Sequence, residues 1–524
     1  MLRHPERRPV LRPRRPARVR ILGWALAAGL AGASPAAAAG EGGGTDEPWA
    51  LSLEEAVVSA LEHNPDLQAE RLAPVVAGAF ERIERGAFDP TVFGEVAYTR
   101  RDEEQLGIET GVVREIDRVG VDASAGVRQR LPIGAEWRLS AIHELDEDRL
   151  VGDELHASSL RLTASQQLLR GRGREVNLVS VRQAELETLR SEHELRGFAQ
   201  QLVADVEHAY WDFVLADREI AIHEESLRLA EAELRRAEER VELGDLAETE
   251  LAPLESEAAL RRQELIDARS RREMARLELL RLIGSDDQLG EDRSIEPETD
   301  PERAVREPDP VAEHLALALE RRPELNQARL ELRGDNLEVR RTRNGLLPEL
   351  ELFVSLGSSG YADSFSDAPR EVDGSSYQAE IGLRVERPLA NRAPEAEHRQ
   401  ALAQRNQASL SLSNLARLVR HDVRTAYIEL ERAAAQIEAS RETRRAQEEQ
   451  VRAAEERFRA GDATAFTVVQ AQRDLLSARI DEVRARIAYR EALVELYRLD
   501  GTLLERRGMQ AAAEPGAPSG FEQR

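Results

Sequence analysis

The sequence contains no cysteine and, among 73 basic residues, no lysine. Without a thiol there is no disulfide framework, no thiolate metal site and no thiol nucleophile. A lipoprotein anchor, which requires an N-terminal cysteine, is not expected either. Aromatic residues make up only 4% of the chain. No basic footprint offsets the formal net charge of −25, which excludes a nucleic-acid binder of the ordinary kind. Catalytic signatures are missing too. The ten histidines are scattered, with no H-E-x-x-H, and there is no G-x-S-x-G or P-loop. Gly171-Arg172-Gly173 is a G-x-G that lacks the third glycine of a dinucleotide fingerprint. No catalytic, cofactor-binding or metal-ligating residue is therefore assigned. What is abundant is Ala, Leu, Glu and Arg, a composition of long helices.

Long hydrophobic runs are also lacking. The longest, Ile21–Ala33, falls short of the ~20 residues needed to span a bilayer. It follows eight arginines within residues 1–20 and precedes Ala36-Ala37-Ala38-Ala39. A basic region, a short apolar region and an A-x-A site predict an export signal over 1–39, cleaved after Ala39. Its removal leaves the mature chain still more acidic. If the exported chain enters a membrane, it must do so as a β-barrel.

One unit is written twice. Ala60-Leu61-Glu62-His63-Asn64-Pro65 matches Ala318-Leu319-Glu320-Arg321-Arg322-Pro323, and the same offset relates Pro90 to Pro348. Farther on, a smaller offset relates Ala209-Tyr210 to Ala426-Tyr427, Gly244-Asp245 to Gly461-Asp462, and Gly284 to Gly501. The first copy thus carries about 41 extra residues between Pro90 and Arg182. The organisation expected is a first repeat over 40–284, an acidic linker over 285–310, a second repeat over 311–505 and a disordered tail over 506–524.

Within each copy the period changes. Residues 51–87 and 309–345 read as helices. Then comes alternation of period two. Leu350, Leu352, Val354 and Leu356 share one face, as do Tyr377, Ala379, Ile381, Leu383 and Val385. The first copy has four such strands, near 92–100, 119–127, 136–141 and 160–163. The extra residues read as an added hairpin with a tight turn at Pro132-Ile133-Gly134. Segments 101–117 and 146–156 read as long charged loops. Each copy ends in a rod, 174–243 and 392–460, with return helices over 247–284 and 464–501. Seventy helical residues extend roughly 105 Å, too long for a compact domain. A few strands per chain cannot close a barrel, so strands of several chains must meet.

These segments resemble TolC-type outer-membrane efflux proteins. Leu51-Ser52-Leu53-Glu54-Glu55-Ala56-Val57 with Asn64-Pro65 looks like the opening of that family. Gln167-Leu168-Leu169-Arg170-Gly171 and Arg387-Pro388-Leu389-Ala390-Asn391-Arg392 resemble its strand-to-helix junctions. Arg457-Phe458-Arg459-Ala460-Gly461, followed by Val468-Val469-Gln470-Ala471-Gln472, resembles its hairpin tip. The resemblance covers about 50–505. It implies a mainly α fold with a transmembrane β part. Long helical hairpins of a homotrimer would form an α-barrel across the periplasm, and strands of all three chains would share one barrel in outer-membrane lipid. The family's usual count is twelve strands; six per chain would give eighteen. It further implies an exit duct for tripartite efflux or type I secretion, docked through a periplasmic adaptor (membrane fusion) protein onto an inner-membrane transporter. A periplasmic coiled-coil scaffold is the competing reading.

The same resemblance directs attention to the tips. Gly244, Asp245, Gly461 and Asp462 are the expected adaptor-docking residues. In that family the second tip closes with a Tyr, an Arg and two Asp. Aligned on Gly461, those positions hold Phe458, Ala463, Thr467 and Gln470, so none is kept. Thr249-Glu250 resembles the Thr-Asp pair that the Arg would bind, which leaves Glu250 without that partner. Apolar contacts of Phe458 and Phe466 are expected to hold the gate instead.

Overall fold

Residues 179–242 are rich in Ala, Leu, Glu and Arg, which lose little side-chain freedom in a helix. They form one uninterrupted helix of 64 residues. The computed structural model describes residues 49–106, 113–148, 153–284, 295–302 and 308–509. The export signal, residues 285–294 and 303–307 of the linker and residues 510–524 lie outside the described residues.

The chain opens with β1 (Trp49–Leu51), α1 (Leu53–His63), α2 (Pro65–Glu70) and α3 (Ala73–Gly86). Four strands follow, β2 (Thr91–Leu106), β3 (Val113–Leu131), β4 (Ala135–Asp148) and β5 (Asp153–Gln167). A short α4 (Arg174–Asn177) leads into the rod α5 (Val179–Glu242), and α6 (Leu251–Ile283) returns. The linker contains β6 (Ile295–Pro297). The second copy then gives α7 (Val311–Arg321), α8 (Pro323–Gly345), β7 (Glu349–Ala362) and β8 (Tyr377–Glu386). It ends with the rod α9 (Arg392–Arg459), α10 (Ala465–Leu499) and α11 (Leu503–Arg506).

All six strands predicted by alternation are present, in one antiparallel sheet of order β2-β3-β4-β5-β7-β8. The expected charged loops are a correction. Segments 101–106 and 113–117 are paired strand, and so are 146–148 and 153–156. Charge does not interrupt a backbone ladder; it marks where the strands outrun their apolar window. The expected single helices 51–87 and 309–345 are also broken, each before a proline. Asn64 and Arg322 are extended at ψ 121° and 123°, as the residue before proline prefers. The acidic linker is not wholly irregular, since β6 pairs in parallel with β1. The tail begins later than expected, because Arg506 pairs with Asp309 and Arg507 with Glu207.

Each sheet face has its own chemistry. One carries Val96, Ala123, His143, Ser158 and Gly360 at a single height, with apolar residues below. The other carries Glu95, Asp122, Arg138, Arg161 and Glu380. On this polar face each copy lays a phenylalanine over a glycine. A Cβ on Gly126 would stand 2.8 Å from Phe93, and one on Gly382 would stand 2.5 Å from Phe353. Arg138 and Arg384 cover these two rings at 5.4 and 5.2 Å. The β7–β8 connection folds back over the far end of the apolar face, where Phe365 meets His143 edge-on at 4.6 Å.

Next to the sheet, helices stand side by side in the order α3-α5-α8-α9; farther along, α6 and α10 flank α5, and α10 packs on α9. The core lies at the waist, where Tyr210, Trp211 and Phe213 of α5 are buried with Leu51, Leu279, Ile283 and Leu496. Each such side chain contributes ~2 kcal/mol by leaving water. Tyr210 Oη donates to the Leu51 carbonyl at 2.9 Å and accepts from Thr299 N at 3.0 Å. Among the described residues no helix is long and apolar enough to cross a membrane.

Candidate functional site

Both rods end in the same backbone motif. The Asp245 N–H donates to the Arg240 carbonyl at 2.9 Å, and Asp462 N–H to the Arg457 carbonyl at 2.8 Å. This closure needs a left-handed residue just past the helix, supplied by Gly244 at φ 77° and Gly461 at φ 81°. Gly244, Asp245, Gly461 and Asp462 are all exposed at the hairpin ends.

The two tips touch each other. Ala237 and Leu254 of the first copy are buried with Ala465 and Val469 of the second. Val451, Ala454, Val468 and Ala471 form a second small cluster, and half-buried Phe458 packs against both. Arg240 lies over the Phe458 ring at 5.6 Å. Phe458 thus joins the hairpins, whereas Phe466 is 59% exposed in the single chain.

Glu250 has a partner that the sequence reading did not give it. It ends a 3-10 turn, Glu248–Glu250, and its Oε2 accepts from Ala465 N at 3.2 Å. Ala465 is the first residue of α10, so a carboxylate of one copy caps the return helix of the other. Thr249 is exposed on the same turn. Ala463 is half-buried beside Thr464, while Thr467 and Gln470 are exposed on α10. Gln470 donates to Asp474 at 3.0 Å. Of the expected gate residues, the fold of one chain brings together Glu250 and Phe458 with the partner tip. It leaves Thr249, Phe466, Thr467 and Gln470 facing outward.

Residues missed by sequence reasoning clamp the hairpins higher up. Gln472 donates to Glu233 at 2.8 Å, and burial pushes the Glu233 carboxyl up. Arg473 donates to buried Glu257 at 2.8 Å, and Glu257 also pairs with buried Arg261. Burial would raise Glu482 too, but Arg486 and Arg444 hold it below the ordinary carboxylate range. A signal existed: Glu257 and Arg261 interrupt the apolar stripe of Leu254, Ala258, Leu265 and Ala268 on α6.

Comparison with known proteins accords with this geometry. The profile of the family described as outer membrane efflux protein matches residues 56–285 and 315–502, both copies of the unit. The outer membrane efflux protein BepC of Brucella suis biovar 1 (strain 1330) is 24% identical over 308 residues, 58% of this chain and 64% of its own. The pyoverdine export outer membrane protein OpmQ of Pseudomonas aeruginosa is 25% identical over 359 residues, 67% of this chain and 71% of its own. The chain therefore spans about two thirds of the length of these relatives. Among solved structures, the Campylobacter jejuni CmeC outer membrane channel aligns with a TM-score of 0.65 at 17% identity, covering 88% of this chain and 87% of its own. The outer membrane protein VceC of Vibrio cholerae aligns with a TM-score of 0.63 at 17% identity, covering 86% of this chain and 96% of its own. The fold is the one these channels share. A match over both repeats places the chain in the outer membrane, extending into the periplasm, as a member of the outer membrane efflux protein family.

Proposed function

We propose that three copies form a continuous exit duct from the periplasm to the outside, serving a tripartite efflux pump or a type I secretion system. The observation that carries this reading is the continuity of helix into strand. α3 runs into β2, β5 into α5, α8 into β7 and β8 into α9. A wall built this way passes from aqueous periplasm into lipid without a break in its backbone pairing. The relatives' names support both kinds of system: one exports pyoverdine, and PrtF of Dickeya chrysanthemi is a proteases secretion protein. The exposed tips at Gly244 and Gly461 receive the periplasmic adaptor, and the inner-membrane transporter supplies the cargo. The acidic chain favours cations in the lumen.

Replacing Gly244 and Gly461 by leucine tests the docking role. An added Cβ meets nothing within 4 Å at either site, but both glycines have positive φ, so leucine adds outward bulk and also strains the tip turn. Export should fall at least tenfold while trimers persist in the outer membrane. Asp245→Lys with Asp462→Lys probes the same surface without changing the glycines. Unchanged export in both variants would remove the tips from the docking role. For the gate, Phe458→Ala should raise resting conductance in planar bilayers more than Glu250→Gln does. The reverse order would transfer the closure from apolar packing to the Glu250 cap.

A further inference from the structure

The hairpin β3–β4 is the part of the sheet with no helix beneath it. β2, β5, β7 and β8 each continue a helix, in the same lateral order as α3, α5, α8 and α9. β3 and β4 are inserted between the first two of these strands. Three observations fix them as wall rather than appendage.

First, they pair along their length. β4 is in register with β3 from Leu131↔Ala135 to Arg118↔Asp148, and with β5 from Ala135↔Gln166 to Asp148↔Asp153. Second, their apolar windows lie at the height of their neighbours'. Val121, Ala123, Ala125 and Val127 of β3 lie opposite Leu145, His143, Ala141 and Leu139 of β4. Ala141 and Leu139 lie opposite Leu160 and Leu162 of β5, and Leu162 opposite Leu356 of β7. At the far end Val119 meets Glu147, while Leu145 and His143 meet His156 and Ser158. On β3 the window Val119–Val127 is nine residues long, about the length a tilted strand needs to cross the hydrocarbon; on β4 it includes His143, and on β5 it narrows to Leu160–Ala164. Third, the turn is tied into the strand-to-helix junction. Gln167 N–H donates to the Gly134 carbonyl at 2.9 Å, and Gly173 N–H to the Ile133 carbonyl at 3.0 Å. Asn177 donates to the Gly171 carbonyl at 2.7 Å and accepts from Arg130 at 3.3 Å.

Six alternating strands leave β2 and β8 running in opposite directions at the two edges, and among the described residues no pairing joins those edges within the chain. Their backbone groups must pair in lipid. A second copy of this chain supplies the complementary edge and keeps the ladder antiparallel throughout. The arc lengths also agree. Six strands spaced ~4.8 Å apart and tilted ~40° occupy about 38 Å of wall. Four helices at ~9–10 Å spacing occupy about the same. Without β3 and β4, the sheet would cover only about 25 Å above the same helices.

Resting on the trimer of the preceding section, we propose that three copies close one eighteen-stranded barrel through β2–β8 pairing, so that the exit in the membrane is as wide as the helical tunnel feeding it. Its backbone diameter is ~36 Å, against ~24 Å for twelve strands at the same tilt. The aperture admits cargo about one and a half times broader.

The chain has no cysteine, so one introduced thiol labels uniquely. Leu139→Cys and Ala141→Cys in the full-length protein, in outer-membrane vesicles, should react with a lipid-soluble maleimide and not with a charged one. Arg138→Cys, exposed on the opposite face, should show the reverse preference. Electron cryomicroscopy of trimers in nanodiscs should count eighteen strands. Reaction of Leu139→Cys and Ala141→Cys with the charged reagent alone, or a twelve-stranded wall, would overturn the proposal while leaving the exit duct standing. Recovery of the chain in the soluble periplasm would instead sink the duct, and the barrel with it.

Discussion

Gly284 and Gly501 end the two return helices at matching positions of the repeat, and both press against the helix break of their own copy. A Cβ on Gly284 would stand 2.6 Å from the His63 carbonyl oxygen; one on Gly501 would stand 3.1 Å from the Arg321 carbonyl carbon. Both adopt positive φ, 69° and 75°. Beside this shared wedge the side chains differ. In the first copy Asn64 caps α2 through Leu67 N at 3.0 Å and donates to the Leu282 carbonyl at 2.9 Å. In the second copy Arg322 stands there, provides no cap, and reaches Asp422 and Glu324 at 3.2 Å instead. Where backbone meets backbone, both copies use the same residue. Where a side chain only has to satisfy a polar group, they have diverged. In the sheet they differ most, with four strands against two.

The sharpest probe of that comparison is the wedge. Gly284→Ala should cost about 4 kcal/mol, from left-handed strain and a backbone clash, and Gly501→Ala about 2 kcal/mol, because its neighbour needs to yield only slightly. Denaturant unfolding followed by circular dichroism reads both. Equal losses would break the equivalence of contact distance and cost.

A smaller effect is expected where the copies are clasped to each other. Arg507, after the second copy, donates to Glu207 Oε1 of the first at 2.6 Å, and Glu207 is fully buried. Arg507→Ala should cost about 3 kcal/mol at pH 8. Burial pushes the Glu207 carboxyl up even with Arg507 in place, and further once Arg507 is gone. A carboxyl with a raised folded pKa contributes its full stability below its unfolded value, ~4.3, and loses it as pH climbs through the folded value. The loss should therefore shrink on acidification. An identical loss at pH 5 and pH 8 would show that packing, not charge, holds the clasp.

The smallest effect separates the two caps. Asn64→Ala should cost about 1.5 kcal/mol, through the lost cap and the Leu282 carbonyl left unpaired. Arg322→Ala should cost under ~1 kcal/mol, as half-exposed ion pairs do. A larger loss at Arg322 would mean that the second copy relies on its charges as the first relies on its cap.

The strands were legible because an apolar side chain at every second residue has no helical interpretation, and Leu350–Leu356 or Tyr377–Val385 show little else. Their ends were not, because residues such as Asp102 and Glu147 stay in the ladder while leaving the apolar window. The helix breaks at Asn64-Pro65 and Arg322-Pro323 were written in the prolines, but continuous apolar spacing across them masked the change in direction. β6 was invisible: three residues in an acidic segment carry no period. At the tips, the glycines announced themselves through their place in the repeat. The Glu250 cap did not, because its acceptor and donor lie 215 residues apart in different copies. Local pattern holds no record of such a meeting.

The parallel pair of β1 and β6 has a consequence in time. Synthesis runs from the N-terminus, so Trp49–Leu51 exists long before Ile295–Pro297 arrives to pair with it. Leu53 and the Thr299 hydroxyl that receives its N–H are 246 residues apart. Closing so long a loop is a late step. Until then the first copy has Tyr210 with one of its two backbone partners missing. The waist can lock only after the whole first hairpin has been made and the linker has passed back across it, so the order of the chain is also the order in which the molecule becomes rigid.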